Sequence, residues 1–138
     1  MFSQKIRIIF DTNIWISFSI GKRLDVLKDV LLSGRFDILI CEEIITEYLT
    51  VIQREELAKF VPPARSADTI DLIETFATKR KIKSKVKLSR DPNDDFLLAF
   101  AIDTNADYLV TGDKDLLAIK KYKNTLIVDF STFLDSNF

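Results

Sequence analysis

IRIIFDTN at residues 6–13 and ADYLVTGDKD at residues 106–115 lie more than ninety residues apart, and each carries a short apolar run straight into an Asp. A run of four or five Ile, Phe, Leu, Val and Tyr residues is the size of a buried strand, and an Asp at its end marks where the chain leaves the sheet. Further strands are expected at Phe36–Ile40 and Leu126–Val128, beside Ile6–Phe10 and Tyr108–Thr111. Helical patterns fall between them. Lys22–Leu32 stops at Ser33 and Gly34, and Cys41–Gln53 places Ile44, Ile45, Tyr48, Leu49 and Ile52 on one face. Glu55–Phe60 is closed by Pro62 and Pro63, and a longer helix runs from about Ser66 to Arg80. Lys83–Leu88 alternates charged with apolar residues, as an edge strand does. The segment Asn93–Thr104 is apolar on all sides, with Phe96 to Ile102 almost uninterrupted, so that helix should be buried. Strands alternating with helices predict an α/β fold, a three-layer α/β/α sandwich with a mostly parallel central sheet. Such sheets bind ligands beyond the carboxyl ends of their strands.

The chain of 138 residues, 47% of them apolar, matches one domain with a real core, and three Gly and three Pro leave no evident linker. Residues 1–138 are therefore read as a single domain. No apolar run approaches the roughly 20 residues of a membrane span, and Met1–Phe10 has no signal-peptide character, so a cytoplasmic protein is expected. The single Cys41 excludes an internal disulfide and a Cys-rich zinc site, and there is no His. Acid-rich metal chemistry remains open, whereas imidazole-based plans are closed.

Asp11 and Asp113 follow strands that would end on the same edge of a parallel sheet, and Asp94 and Asp95 open the buried helix. Glu47 flanks the apolar face of its helix and is expected to be half covered there. Each acid alone is also a sound structural residue. Asp11 or Asn13 can cap a helix starting at Ile14, Asp113 can cap a short helix through Ile119, and Asp91 before Pro92 suits an N-cap with Asp94 at N3. Converging carboxylates, however, would repel one another unless cations sat among them. An all-oxygen donor set favours Mg²⁺ or Mn²⁺ over zinc or copper.

The net charge is −1, yet Lys79, Arg80, Lys81, Lys83, Lys85 and Lys87 fall within nine residues, with Arg90 following and no acid until Asp91. That run is either a solvated helix end and edge or a set of phosphate contacts beside an acidic centre. At the other end, Phe133, Leu134 and Phe138 either close the core or serve an interface.

DTNIW at Asp11–Trp15, EEIITEYLTVI at Glu42–Ile52, RDPNDDFLLAFA at Arg90–Ala101 and ADYLVTGDKDLL at Ala106–Leu117 resemble the four acidic motifs of PIN-domain ribonucleases, in order and over nearly the whole chain. The likeness is greatest to small stand-alone PIN proteins of the VapC type, toxins of toxin–antitoxin pairs. The resemblance implies a PIN-like domain with catalytic and metal-binding acids at Asp11, Glu47, Asp94 and Asp113, and with Asp95 as a second candidate beside Asp94. It implies supporting roles for Asn13, Thr111 and Asp115. It further implies Mg²⁺- or Mn²⁺-dependent hydrolysis of RNA, a cognate antitoxin and a homodimer, with no membrane partner. Lys83, Lys85, Arg90 and Lys114 are candidates for RNA backbone contacts. Two alternatives stand beside this one. A phosphatase of the HAD kind normally has a second Asp two residues after the first, where this chain has Asn13. A non-catalytic PIN scaffold would bind RNA or a protein without cutting.

Overall fold

The computed structural model describes residues 4–21, 24–87 and 92–138, with residues 92–94 described as backbone only. Six strands form one sheet: β1 (Ile6–Phe10), β2 (Phe36–Ile40), β3 (Ala77–Lys79), β4 (Tyr108–Val110), β5 (Lys121–Tyr122) and β6 (Thr125–Val128). The helices are α1 (Thr12–Ser19), α2 (Leu24–Leu32), α3 (Glu42–Ile52), α4 (Glu55–Ala58), α5 (Pro63–Phe76), α6 (Pro92–Thr104), α7 (Lys114–Ile119) and α8 (Phe130–Asn137). The strand order is β3-β2-β1-β4-β6-β5, parallel except for the β5–β6 hairpin. This is the expected α/β architecture, a mostly parallel sheet flanked by helices.

The chain builds outward from β1 through β2 to β3, then returns to the other side of β1 with β4. Right-handed crossovers put α1 to α5 on one face and, after the change of direction, α6 and α7 on the other. Alternation along the strands agrees with two covered faces. Ile8 and Phe10 point one way and Ile9 the other, and all three are fully buried, as are Leu109 and, nearly so, Leu39 and Ile127 on the Ile9 side. On the first face Phe10 meets Trp15, Phe18, Phe130 and Phe133 edge-on, with ring centroids 5.4–6.3 Å apart. In α6, Leu97 to Ala101 are buried as the apolar run predicts, although Ile102 is partly exposed at its end. Among the described residues no helix is long and apolar enough to cross a membrane.

Several boundaries differ from the sequence reading. The helix expected from Ser66 to Arg80 starts at Pro63, because proline at N1 is already set for helical φ, and it ends at Phe76. Ala77–Lys79 then turn extended and pair with Ile38–Ile40, and Thr78 Oγ1 donates to Asp37 Oδ1 at 2.9 Å. With β3 holding that edge, residues 83–87 are not a strand. The backbone N–H groups of Lys83 and Ser84 go instead to the Asp103 carboxylate on α6, at 2.6 and 2.9 Å. Leu88 lies outside the described residues, as do Lys22, Arg23, Arg90 and the proposed Asp91 cap. In α3, Ile44 and Tyr48 are buried while Leu49 is 41% exposed, which narrows the apolar face by one position.

The loop after α1 needs its glycine. Gly21 has φ +94°, and the Arg65 guanidinium occupies the space a β-carbon would take while donating to Ile20 O at 2.7 Å. At the C-terminus, Phe133 is fully buried while Phe138 is 62% exposed beside Arg35 and Phe36. Phe133 therefore closes the core. Phe133→Ala should lower the unfolding free energy by about 3–5 kcal/mol. Leu32→Ala, at an exposed position, should stay within about 0.5 kcal/mol of the parent in the same urea titration.

Candidate active site

β1 and β4 are neighbours at the point where the order of strands reverses, and the chain leaves both at the same edge. Backbone pairing continues past the strand ends: Asp11 N donates to Val110 O and Thr111 N to Val128 O, both at 2.9 Å. Asp11 and Thr111 are thus fixed side by side above the switch point. Asp11 is only 6% exposed and Thr111 not at all. The Thr111 hydroxyl donates to Asp11 Oδ2 at 2.7 Å and accepts from the Asp113 backbone N–H at 3.0 Å. One hydroxyl therefore links the first acid to the loop that carries the last.

Asp113 is the N-cap of α7, as its sequence position suggested. Its Oδ1 accepts from the N–H groups of Asp115 and Leu116 at 2.8 and 3.2 Å. No such donor reaches Oδ2 among the described residues. The cap therefore orients the carboxylate while leaving one oxygen for other work. Asp11 also stands at the N-cap position, of α1, yet its side chain makes no capping bond there.

Burial pushes the Asp11 carboxyl above its ordinary value. The Thr111 hydroxyl and the Thr12 backbone N–H oppose that rise, and the negative charges of Glu47 and Asp113 reinforce it. Glu47 and Asp113 are therefore near enough to act on Asp11 electrostatically. Glu47 does so from an exposed position, not the half-covered one expected. Tyr48 and Ile44 take the inward face of α3, and a 100° step turns Glu47 toward solvent at the edge of the crevice.

A buried cluster that the sequence reading missed fixes α3 in place. Ser19 Oγ on α1 bonds Tyr48 Oη at 2.5 Å and Thr69 Oγ1 on α5 at 2.7 Å, so the residue after Glu47 is tied to the helix after Asp11. The only advance signal was a Ser, a Tyr and a Thr at otherwise apolar helix positions.

Asp94 lies in the first turn of α6, and its side chain is outside the described set. Asp95 is half buried and lines a hollow with Glu43, Lys85 and Lys87. Asn13, Lys114 and Asp115 are exposed beside the site, and Asp115 contributes its backbone N–H to Asp113. Among the described residues no three acids are gathered closely enough to cage one ion. The donor chemistry nonetheless suits a hard divalent cation, being all carboxylate oxygen around a buried acid pressed by two like charges. Cys41 is no rival nucleophile, since burial raises its thiol to about 12.

Paired strand ends with a buried acid at a switch point define an α/β protein built to hold charge outside its sheet. Residues 7–115 match the family model described as PIN domain, and the chain belongs to that family. The HAD-kind alternative is thereby set aside. The fold is similar to VapBC2 from Rickettsia felis, solved bound to a DNA fragment of its promoter, at TM-score 0.58 and 18% identity over 88% of this chain and 97% of that one. It is similar to VapC20 of Mycobacterium tuberculosis, a toxin that cleaves the sarcin–ricin loop, at TM-score 0.57 and 13% identity over 85% and 97%. It also resembles the PIN domain endonuclease Utp24, at TM-score 0.54 and 17% identity over 88% and 82%. No curated protein matches the chain.

A carboxyl raised by folding favours the native state while it is protonated, and that contribution is lost as pH rises through its folded pKa. At neutral pH and without divalent ions, Asp11→Asn should therefore melt a few degrees above the parent, with the gap closing at acid pH. Adding Mn²⁺ should raise the melting temperature of the parent and leave the variant unmoved. A variant that melts below the parent in EDTA at neutral pH would instead mark Asp11 as a stabilising cap.

Proposed function

We propose that this protein is a metal-dependent endoribonuclease of the PIN family and the toxin of a toxin–antitoxin pair. The observation that carries this reading is the Asp11 carboxylate, buried at the switch point, hydrogen-bonded to Thr111 and within electrostatic reach of Glu47 and Asp113. Asp11, Asp94 and Asp113, with Glu47 as a further ligand or water-orienting base and Asp95 as the alternative to Asp94, would hold one or two Mg²⁺ or Mn²⁺ ions. A bound ion supplies Lewis acidity toward the phosphate and makes a neighbouring water more acidic.

The remaining work falls to the protein. Thr111 keeps Asp11 turned into the crevice, and the first N–H groups of α7 hold Asp113 by one oxygen. Glu47, exposed on the rim, accepts a proton from water. Asn13 and Asp115 line the approach, and Lys114 is placed to meet the RNA backbone. With water as nucleophile the 2′-hydroxyl takes no part, so the products carry 5′-phosphate and 3′-hydroxyl ends. A cognate antitoxin, a homodimer and a cytoplasmic location belong to the same reading. The VapBC2 and VapC20 likenesses support it as relatives in fold.

The exposed Glu47 favours one second reading: a PIN scaffold that binds RNA without cutting it. A single assay separates the two. Labelled single-stranded RNA should be cut by the purified protein with Mn²⁺ or Mg²⁺ and left intact with EDTA. Asp113→Asn should lower the rate by about a hundredfold or more, the scale of losing one charged group from a catalytic centre. Intact RNA with metal, bound equally well with EDTA, is the scaffold's result.

A further inference from the structure

The sequence motif that the site leaves unused is the basic run, and the structure gives it a definite shape. Residues 80–87 form neither helix nor strand, yet burial alternates residue by residue. Ile82, Ser84 and Val86 are half buried, whereas Lys81, Lys83, Lys85 and Lys87 are exposed. Burial on alternate residues leaves four lysines on the open side of the segment.

This strap is fastened at its start and at its middle. Lys79 pairs with Glu42 on α3, and Arg80 N donates to Ile40 O at 2.9 Å. Asp103, on the last turn of α6, takes the N–H groups of Lys83 and Ser84 and the Ser84 hydroxyl. A slight loss of water, which alone raises a carboxyl, is outweighed there by the Ser84 and Lys83 hydrogen bonds and by the Lys83 charge, and the Asp103 carboxyl lies below its ordinary value. Among the described residues Lys81, Lys85 and Lys87 make no ion pair, although the chain carries 21 acids. Glu42, Glu43 and Asp103 line the groove beneath Lys79–Lys83, and Glu43 and Asp95 the hollow beneath Lys85 and Lys87, but the six bases of residues 79–87 outnumber them, an imbalance that an external polyanion would relieve.

The strap also adjoins the site. Glu43 lines the groove of about 800 Å³ under Lys79–Lys83 and the hollow under Lys85 and Lys87 that contains Asp95. It lines as well the depression that holds Glu47. The surface thus passes from Glu47, over the N-terminal turn of α3, onto the lysines. No aromatic side chain lies within residues 79–87, so the segment offers charge and no stacking platform.

We propose that residues 79–87 are a track for the phosphate backbone of single-stranded RNA leading to the crevice, and that Asp103 is the positioning residue that holds it against α6. The track rests on the ribonuclease reading for its substrate, but binding tests it without turnover. A labelled dodecauridylate is titrated in EDTA at several salt concentrations against the full-length protein, against Lys81→Ala/Lys85→Ala/Lys87→Ala, and against a charge-matched control, Lys5→Ala/Lys28→Ala/Lys59→Ala. The track triple should weaken binding by about tenfold or more and flatten the slope of log K against log salt by about 2, three contacts at roughly 0.7 each. The control should keep the parental slope.

Asp103→Ala gives a readout of opposite sign for the two possibilities. Removing a negative charge beneath four lysines would tighten RNA binding if only charge mattered, whereas loss of the clasp should weaken it several-fold. Ser84→Ala, which changes no charge, should move binding the same way by less. Equal loss in both lysine triples, or tighter binding by Asp103→Ala, overturns the proposal. So does tighter binding of a dodecaglutamate peptide than of the RNA, which would assign the strap to an acidic protein segment. If strap-dependent binding holds but no metal produces cleavage, only the ribonuclease reading fails.

Discussion

The hydrogen bond from Thr111 to Asp11 is the constraint on which the rest of the site depends. A carboxylate as buried as Asp11 needs donors, and beside the Thr12 backbone N–H its side-chain donor comes from Thr111, just past the end of β4. The backbone bonds that carry β1 to β4 and β4 to β6 one residue past the strand ends hold donor and acceptor in register. From that pair the geometry unfolds in both directions. The same hydroxyl accepts from Asp113 and sets the start of α7, and the chain beyond Asp11 becomes α1, whose Ser19 locks α3 through Tyr48. Two hydroxyl junctions, one at the strand ends and one between helices, therefore fix Asp11, Asp113 and Glu47 relative to one another.

Much of this frame was legible because burial leaves a mark in composition. The four apolar runs read as strands are strands, and the fully apolar helix is buried, since a segment covered on all sides has no room for charge. Asp11 and Asp113 were legible because a strand ending in Asp is a local event. Glu47 was placed beside the apolar face of its helix from the residue pattern, and only the resemblance gave it a catalytic role. Its half-buried setting was misjudged because a helix face blurs over one residue position, and the buried pair Ile44 and Tyr48 turns it outward.

The strap shows where such reading fails in principle. Alternation of charged and apolar residues reports that one side is covered, and at Lys83–Leu88 it was taken as an edge strand. Burial on alternate residues is indifferent to what accepts the backbone N–H groups, and here a carboxylate on α6 takes the place of a neighbouring strand. Asp103 itself sits at the end of the apolar run LLAFAID, where nothing local announces a partner nearly twenty residues upstream. β3 was hidden for the converse reason: three residues, ATK, carry too little pattern to interrupt a helix, and only pairing with β2 makes them a strand.

Asp11 and Asp103 have the same side chain and opposite electrostatic fates. Around Asp11, burial and two like charges outweigh the hydroxyl and N–H donors, so the ionised form is strained and calls for a cation. Around Asp103, three donors and a lysine outweigh a slight loss of water, so the ionised form is favoured. A net charge of −1 conceals this division. Asp113 and Glu47 act on Asp11 at the strand ends, and bases are gathered along residues 79–87. For a protein acting on a polyanion the separation is a physical necessity. Acids close enough to share a cation repel the substrate, and a compensating positive surface must lie near enough to hold the backbone yet far enough away not to neutralise the acids. The clasp at Asp103 serves that arrangement, because it ties the basic segment to α6 through backbone N–H groups and the Ser84 hydroxyl and draws on no lysine ammonium hydrogen bond.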